Sequence, residues 1–250
     1  MRYGRYALAI LAFVTYNSWV LWPLNGDPQA ALGYLSELAA GDQPYHWLFR
    51  GCDLLAALVF AFIALLGWRG WAGWLGRRAP QVAAALLTVA VATVLDVTFN
   101  LPCAESRDAV CKATPFAVRH VHEASSVIVG LALVALIGLV AIAFAEQDGW
   151  RGRACGVAAF ALLVATLLLA SAILPAFLPL TQGPVQAVQV LLCSGWIAYL
   201  AVHLSEGRCA AAIRSMPASL STPANRNTAE DFGKPGSDDS SSDNPRTGCP

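Results

Sequence analysis

The chain has 250 residues, of which 57% are hydrophobic and only 13% are charged, and its formal net charge at pH 7 is zero. Soluble domains carry about 25% charged residues, so this composition excludes an ordinary soluble domain. The balanced charge also excludes a general attraction to nucleic acid. Several long apolar runs instead predict an all-α bundle of membrane-spanning helices.

Six runs are long enough to cross a bilayer, which takes about 20 helical residues. Each must be helical, because lipid offers the backbone polar groups no partner outside the segment. The predicted spans lie near residues 6–24, 46–67, 82–101, 120–145, 155–180 and 185–205, within a membrane domain of residues 1–215. The first run has no small-residue cleavage site after it, so we expect an uncleaved first span.

Basic residues in the short flanks predict the orientation of the spans. One end of the bundle receives Arg2, Arg5, Arg69, Arg77, Arg78, Arg151, Arg153, Arg208 and Arg214. The other end receives only Arg50, Arg107, Lys112 and Arg119. This asymmetry predicts a bacterial cytoplasmic-membrane protein with both termini inside. The stretch 216–250 is rich in Ser, Asp, Pro and Gly, and its composition predicts a disordered cytoplasmic tail.

The two longer connections fall on the predicted outer side. In residues 25–45, Leu32, Leu35 and Leu38 predict one face of a short helix lying on the membrane surface. The connection 102–119 contains Cys103 and Cys111, which face the oxidising compartment. Because disulfides persist there, we expect these two cysteines to be bonded.

Polar side chains inside the spans fall into one layer near the outer ends of the helices. The deepest lie roughly 10 Å from the outer ends, at 1.5 Å per residue. Ionisable groups inside a membrane are costly and mark functional sites. The candidate pocket comprises Asn17, His46, Arg50, Asp53, Asp96, Asn100, His120, Glu123 and Ser126. Gln186 and Gln189 lie at the same depth, at the start of the sixth span. They fit a pocket, and they fit ordinary polar residues at the end of a membrane helix equally well.

Helical spacing brings some of these groups together. His46, Arg50 and Asp53 share a face of the second span, where Arg50 is placed to pair with Asp53. Asp96 has no cation on its own span, so it must be protonated or find a partner on another helix. The candidates are His46, Arg50, His120 and His122.

The sequence RHVHEASS at residues 119–126 opens the fourth span. His120 and His122 are separated by about 200° of helical rotation, so they point in different directions. We expect His120, Glu123 and Ser126 to form a stripe facing the bundle interior. Arg119 and His122 are expected to form a polar collar at the membrane interface.

These residues carry a family resemblance. The stretches YNSWVLWPLNGDPQAALGYLSELAAGDQPYHWLFRGCDLLAA, LDVTFNLPCA and HVHEASS, with the spaced Cys103 and Cys111, resemble actinobacterial members of the membrane family catalogued as domain of unknown function 998. The resemblance covers roughly residues 10–205. It implies a six-helix bacterial or archaeal membrane protein and implies no activity.

Four functions fit the polar layer. The first is a pocket that binds, transports or senses a lipid headgroup, a small solute or a proton. The second is a structural or partner-binding protein whose polar groups hold helices together. The third is a metal-dependent membrane hydrolase with His46, Asp96, His120 and Glu123 as ligands. The fourth is a haem- or quinone-linked redox protein with His46 facing His120 or His122 as axial ligands. We predict no cofactor, no nucleic-acid partner, and a lipid bilayer with a lipid or small-molecule ligand as the partners.

The third function also rests on a distant similarity to the alkaline ceramidase and haemolysin III membrane hydrolases. That group uses Ser, Asp and several His around zinc, and Asp96, Ser125 and the two histidines of RHVHEASS offer similar groups. The sixth span lacks that group's His-x-x-x-His pair. It contains only His203, at the opposite membrane face.

Overall fold

A computed structural model describes residues 2–115 and 117–205. Its α-helices are α1 (Arg2–Tyr16), α2 (His46–Gly70), α3 (Ala72–Leu75), α4 (Ala79–Thr98), α5 (Ala109–Ala113), α6 (Ala117–Ala145), α7 (Arg151–Ile173) and α8 (Gln182–Val202). Six helical segments are long and apolar enough to span a membrane, and no strand occurs in the described ranges. The prediction of an all-α, six-span membrane protein is confirmed. The predicted tail 216–250 lies outside the described residues.

The six long helices form a closed ring. Each packs against the next long helix along the chain, in the order α1, α2, α4, α6, α7 and α8, and α8 returns to pack on α1. Short connections between apolar helices favour such antiparallel neighbours. A ring of six helices leaves space along its axis, which side chains must fill or leave as a cavity.

Apolar side chains from four of the long helices fill part of the axis. Fully buried residues there are Phe60 and Ile63 of α2, Val82 and Leu86 of α4, Leu136 and Ile137 of α6, and Ile197 and Leu200 of α8. Large apolar side chains also cover the outside of the ring, among them Ile10, Phe62, Leu65, Leu131 and Leu162. An apolar exterior around an apolar core is typical of a bundle surrounded by lipid.

The first span is not one α-helix. Helix α1 ends at Tyr16, and the chain continues as a 3₁₀ helix over Ser18–Asn25 that contains Pro23. Proline lacks the backbone N–H that an α-helix needs. Between the two segments, the Asn17 amide nitrogen donates to Ser194 Oγ at 2.7 Å. This buried bond joins α1 to α8 and closes the ring.

Two segments, 17–45 and 99–115, cover one end of the bundle, which we term the capped end. A 3₁₀ helix over Leu35–Ala39, which we term the lid, lies across the axis, and its Leu38 is 1% exposed. The expected surface-lying helix is therefore a buried cover. Cys103 and Cys111 are bonded, as predicted, with their Cα atoms 6.2 Å apart. The bond closes the second covering segment on itself.

The opposite end is held by an ion-pair cluster between two connections. Glu146 follows α6, and its carboxylate accepts hydrogen bonds from Arg77 at 2.9 Å and from Arg78 at 2.6 Å. These two guanidinium groups lower the pKa of Glu146 to about 2. The cluster ties the α3–α4 connection to the α6–α7 turn.

The covering segment docks on the start of α8 through a glycine. The Gly183 amide donates to Leu32 O at 3.1 Å, and a Cβ on Gly183 would overlap the carbonyl oxygens of Ala31 and Gly33. Backbone atoms cannot rotate away from such an overlap. We predict that Gly183→Ala destabilises the protein by about 1–3 kcal/mol, the usual cost of overpacking. The melting temperature of detergent-purified protein, followed by tryptophan fluorescence, measures this.

Gly195→Ala is the matched control, because Gly195 lies on the same helix and a Cβ there meets no atom within 4 Å. Alanine favours a helix interior by up to about 1 kcal/mol over glycine. The control should therefore melt at or slightly above the wild-type temperature. Equal melting temperatures for the two variants would contradict the close docking at Gly183.

Candidate functional site

A cavity of about 170 Å³ lies on the axis beneath the lid. Every long helix contributes to its wall. The lining residues are Tyr16, Ser18, Trp19, Leu35, Ser36, Leu38, Phe49, Asp53, Thr93, Asp96, Ser126, Val129, Gly130, Leu133, Leu168, Gln186, Gln189, Val190 and Cys193. No lysine, arginine or histidine is among them, so the charged groups in the wall are two carboxyls.

Asp53 projects into the cavity from α2 without a protein partner. Its carboxyl makes no hydrogen bond or ion pair with any residue of 2–115 or 117–205. The expected ion pair with Arg50 does not form between these two described residues, because Arg50 Nε donates to Ala39 O of the lid at 3.1 Å. Arg50 thus holds the lid, and the Asp53 carboxyl remains available to a ligand.

Asp96 of α4 is held by α6 instead. Its Oδ1 accepts a hydrogen bond from Ser126 Oγ at 2.6 Å, and Ser125 Oγ lies 2.9 Å from the same oxygen and shares its one proton with the His122 backbone carbonyl at 2.8 Å. His122 Nδ1 lies 3.4 Å from the same oxygen and 3.3 Å from the Asp96 backbone carbonyl. Of the four predicted partners, the structure places His122 next to Asp96. Ser125 was not among the predicted pocket residues, although it neighbours Ser126.

Helix α8 contributes two glutamines that behave differently. Gln186 Oε1 accepts a hydrogen bond from the backbone amide of Leu35 at 2.9 Å and so holds the start of the lid. Gln189 is only 6% exposed, lines the cavity, and makes no hydrogen bond within the described ranges. Buried amides are normally hydrogen-bonded. Gln189 therefore offers both a donor and an acceptor to whatever occupies the cavity.

One side of the cavity is aromatic. Tyr16 at the end of α1, Trp19 in the following 3₁₀ helix and Phe49 of α2 line it, and we term these three residues the aromatic wall. Trp19 Nε1 donates to Asn17 Oδ1 at 3.0 Å, which fixes the indole ring. None of these three rings was among the predicted pocket residues. Tyr16 and Trp19 lie within two residues of Asn17, and Phe49 lies one helical turn before Asp53. This proximity in sequence is the signal that would have found them.

The fourth-span stripe requires a correction. The side chains of His120 and Glu123 are 83% and 59% exposed, 3.7 Å apart on the outer surface, whereas His122 is buried. Two successive steps of three residues drift by about 120° around a helix. Residues 122, 125, 126 and 129 keep to one face, with steps of three and four. The stripe facing the interior is therefore His122, Ser125 and Ser126.

The remaining candidate residues surround the cavity without lining it. Asn17 joins α1 to α8, and Asn100 donates to the lid carbonyl of Ala39, as Arg50 does. His46 Nδ1 contacts Gln43 O at 2.8 Å at the mouth of α2. Of the nine predicted pocket residues, the wall includes Asp53, Asp96 and Ser126. The others fix the helices and the lid, or face outward.

The candidate metal ligands are not brought together. His120 and Glu123 face outward, while Asp96 faces the cavity. Within residues 2–115 and 117–205, no three His, Cys, Asp or Glu side chains are placed to hold one metal ion. The donor set in the cavity wall instead consists of carboxyl, amide and hydroxyl groups beside aromatic rings. Such a set accepts hydrogen bonds and positive charge.

The lid is anchored by a buried carboxylate that is not among the predicted pocket residues. Glu37 is 0% exposed and accepts hydrogen bonds from the backbone amide of Ser106, at 2.8 Å, and from its hydroxyl. Arg107 pairs with Asp27, and its Nε lies 4.0 Å from Glu37 Oε2. Arg119 pairs with Glu105 in the same segment. The lid is thus fastened to the disulfide-closed segment by polar contacts that exclude water.

The lid carboxyl predicts a pH dependence. Burial raises the pKa of Glu37 above its ordinary value of 4.5, although the Ser106 hydrogen bonds and the Arg107 charge oppose this shift. The folded protein therefore binds the Glu37 proton more tightly than the unfolded chain. This stabilisation is complete below the unfolded pKa and is lost as pH rises through the raised folded pKa. We predict that the melting temperature of wild type relative to Glu37→Gln falls over this pH interval.

Glu146→Gln is the control with the opposite sign. The arginines lower the pKa of Glu146, so its contribution is present above the unfolded pKa and is lost as pH falls toward about 2. A wild-type minus Glu37→Gln difference that is constant with pH, or that rises with pH, would contradict the assignment of Glu37.

Comparison with known proteins places the chain in a family. Residues 6–203 match the family described as "Protein of unknown function (DUF998)". No curated protein and no solved structure matches the chain. The match covers all six long helices, the lid and the cavity. The chain therefore belongs to the DUF998 family of proteins of unknown function.

Proposed function

We propose that this multi-pass membrane protein binds a small solute or a lipid headgroup in the cavity beneath the lid, as the first step of transport or sensing. The observation that carries the proposal is the pair of cavity-lining polar groups without protein partners, Asp53 and Gln189. Neither group is hydrogen-bonded to the described residues, so both are available to bond to a molecule in the cavity.

The structural alternative accounts for other polar residues but not for these two. Polar groups that hold membrane helices together do so through hydrogen bonds between helices. Asn17 with Ser194, and Asp96 with Ser126, fit that role. Asp53 and Gln189 make no such bond in the described part of the chain. We therefore rank a structural role second.

The hydrolase alternative ranks below both. A serine nucleophile is activated when its hydroxyl donates to a base such as an imidazole nitrogen. Here the hydroxyls of Ser125 and Ser126 donate to the Asp96 carboxyl instead. The imidazole of His122 lies beside that carboxyl rather than beside a hydroxyl.

The proposal includes an orientation. We infer that the capped end faces the outside of a bacterial cytoplasmic membrane and that both termini are inside. Arginines concentrate at the opposite end, which the positive-inside rule assigns to the cytoplasm. The Cys103–Cys111 bond lies at the capped end, in keeping with an oxidising compartment. A cavity under the lid is then accessible from the outer side.

Thermal stabilisation by small molecules tests ligand binding. Purified protein in detergent is melted with a panel of small amines, polyols, carboxylates and water-soluble phospholipid headgroups. A ligand at 100 times its Kd stabilises the folded state by about 2.7 kcal/mol. We predict that at least one class raises the melting temperature of wild type, and that Asp53→Asn reduces this shift because the charged partner is gone.

Asp148→Asn is the matched control, because Asp148 is an exposed carboxyl at the opposite end of the bundle. It should keep the full ligand-induced shift. The binding proposal fails if no class stabilises wild type, or if Asp53→Asn and Asp148→Asn respond alike.

A further inference from the structure

We infer that the ligand is a small organic cation, an amine of about the size of ethanolamine, whose ammonium group binds at Asp53. This inference rests on the proposed function and specifies its ligand. It follows from three independent properties of the cavity: the sign of its charge, the unpaired groups in its wall, and its size.

The charge of the wall is negative. Asp53 and Asp96 are the charged side chains among the lining residues, and no cation lines the cavity with them. The nearest arginine in sequence, Arg50, donates to the lid carbonyl of Ala39. An ionised carboxylate removed from water costs several kcal/mol unless a cation pairs with it. The Asp96 carboxyl accepts serine hydrogen bonds, whereas the Asp53 carboxyl accepts none from the described residues, so Asp53 is the one available to a cation from outside.

Two further features of the wall suit an ammonium group. Gln189 is 6% exposed and unpaired within the described ranges, and its carbonyl oxygen is an acceptor for an ammonium N–H. The aromatic wall of Tyr16, Trp19 and Phe49 lines the same cavity. The faces of aromatic rings attract cations, with the largest effect at desolvated sites. A carboxyl, an amide and aromatic rings together match a cation bearing N–H donors.

The volume restricts the ligand to a small one. The cavity holds about 170 Å³, whereas pockets for drug-sized ligands hold about 300–1,000 Å³. A nucleotide exceeds this space. An ethanolamine group fits the description, either as a free solute or as the headgroup of a phospholipid.

A cysteine placed in the wall measures the charge selectivity of the cavity directly. Val190 lines the cavity from α8, so Val190→Cys is made in a chain whose Cys52, Cys155, Cys193, Cys209 and Cys249 are replaced by alanine and whose disulfide is kept. Its rates of reaction with 2-aminoethyl and 2-sulfonatoethyl methanethiosulfonate are compared. Gln29→Cys, exposed on the covering segment, supplies the reference rates for both reagents.

We expect the normalised rate at Val190→Cys to be at least tenfold higher for the cationic reagent than for the anionic one. Adding Asp53→Asn should bring the ratio toward one, while adding Asp148→Asn should leave it unchanged. Val129→Cys on α6 is a second reporter, which keeps the test valid if Val190→Cys lowers the melting temperature.

The outcomes separate this inference from the function on which it rests. Equal normalised rates, or a faster anionic reagent, would overturn the cation assignment while leaving a solute-accessible cavity and therefore the proposed function. Failure of both reagents to react at both reporters would show that the cavity is closed to solutes, which overturns both proposals.

Protection by an amine identifies the source of the ligand. Ethanolamine should slow the modification of Val190→Cys in phosphatidylglycerol vesicles, whereas ethylene glycol and glycolate, of similar size but neutral or anionic, should not. Protection by phosphatidylethanolamine vesicles without added ethanolamine would assign the site to the lipid headgroup. The inference is overturned if neither form of ethanolamine protects, or if glycolate protects as well as ethanolamine does.

Discussion

A polar group surrounded by hydrocarbon must find its partner inside the protein, and this constraint organises the whole molecule. It makes each span helical, since only a helix satisfies its own backbone. It also accounts for the bond between Asn17 and Ser194, which closes the ring of six helices. The ring then surrounds an axis that apolar side chains fill at one end and leave open at the other. Asp53 and Gln189 differ from the other polar groups, because they line the cavity on this axis and have no hydrogen-bond partner among the described residues.

The lid obeys the same constraint at the membrane surface. Its Glu37 carboxylate is buried against Ser106, and its carbonyl at Ala39 accepts from both Arg50 and Asn100. Two side chains that the sequence assigned to a pocket therefore hold the cover of the pocket. The Leu38 and Ala39 side chains of the lid also pack in an apolar cluster with Phe49, against which Trp19 and Trp22 lie. The cover of the cavity is therefore held by both hydrogen bonds and apolar contacts.

Much of the fold was predictable because membrane constraints act locally. Length and hydropathy suffice to find six spans, and the expectation that Cys103 and Cys111 face an oxidising compartment led to their pairing. The site was only partly predictable. Asp53 and Asp96 stood out as ionisable groups within spans, but the rotation of α6 depends on its packing against α4 and α7. The predicted stripe on α6 pointed about a third of a turn away from the observed stripe. His120 and Glu123 were therefore selected in place of His122 and Ser125. Glu37 was not selected, because its burial depends on a contact with Ser106, far away in sequence.

The position of the lid connects ligand binding to conformation. Leu35, Ser36 and Leu38 of the lid line the cavity, and Gln186 of α8 holds the backbone amide of Leu35 at 2.9 Å. A ligand at Asp53 and Gln189 therefore occupies the space directly beneath the lid, next to the helix that holds it. A ligand shifts a conformational equilibrium only by its difference in affinity between the two states. In the proposed complex, an ammonium at Asp53 would lie beneath the lid residues that line the cavity, and contacts with them would be lost if the lid moved away. Occupancy of the proposed site would therefore favour the closed position of the segment that covers it.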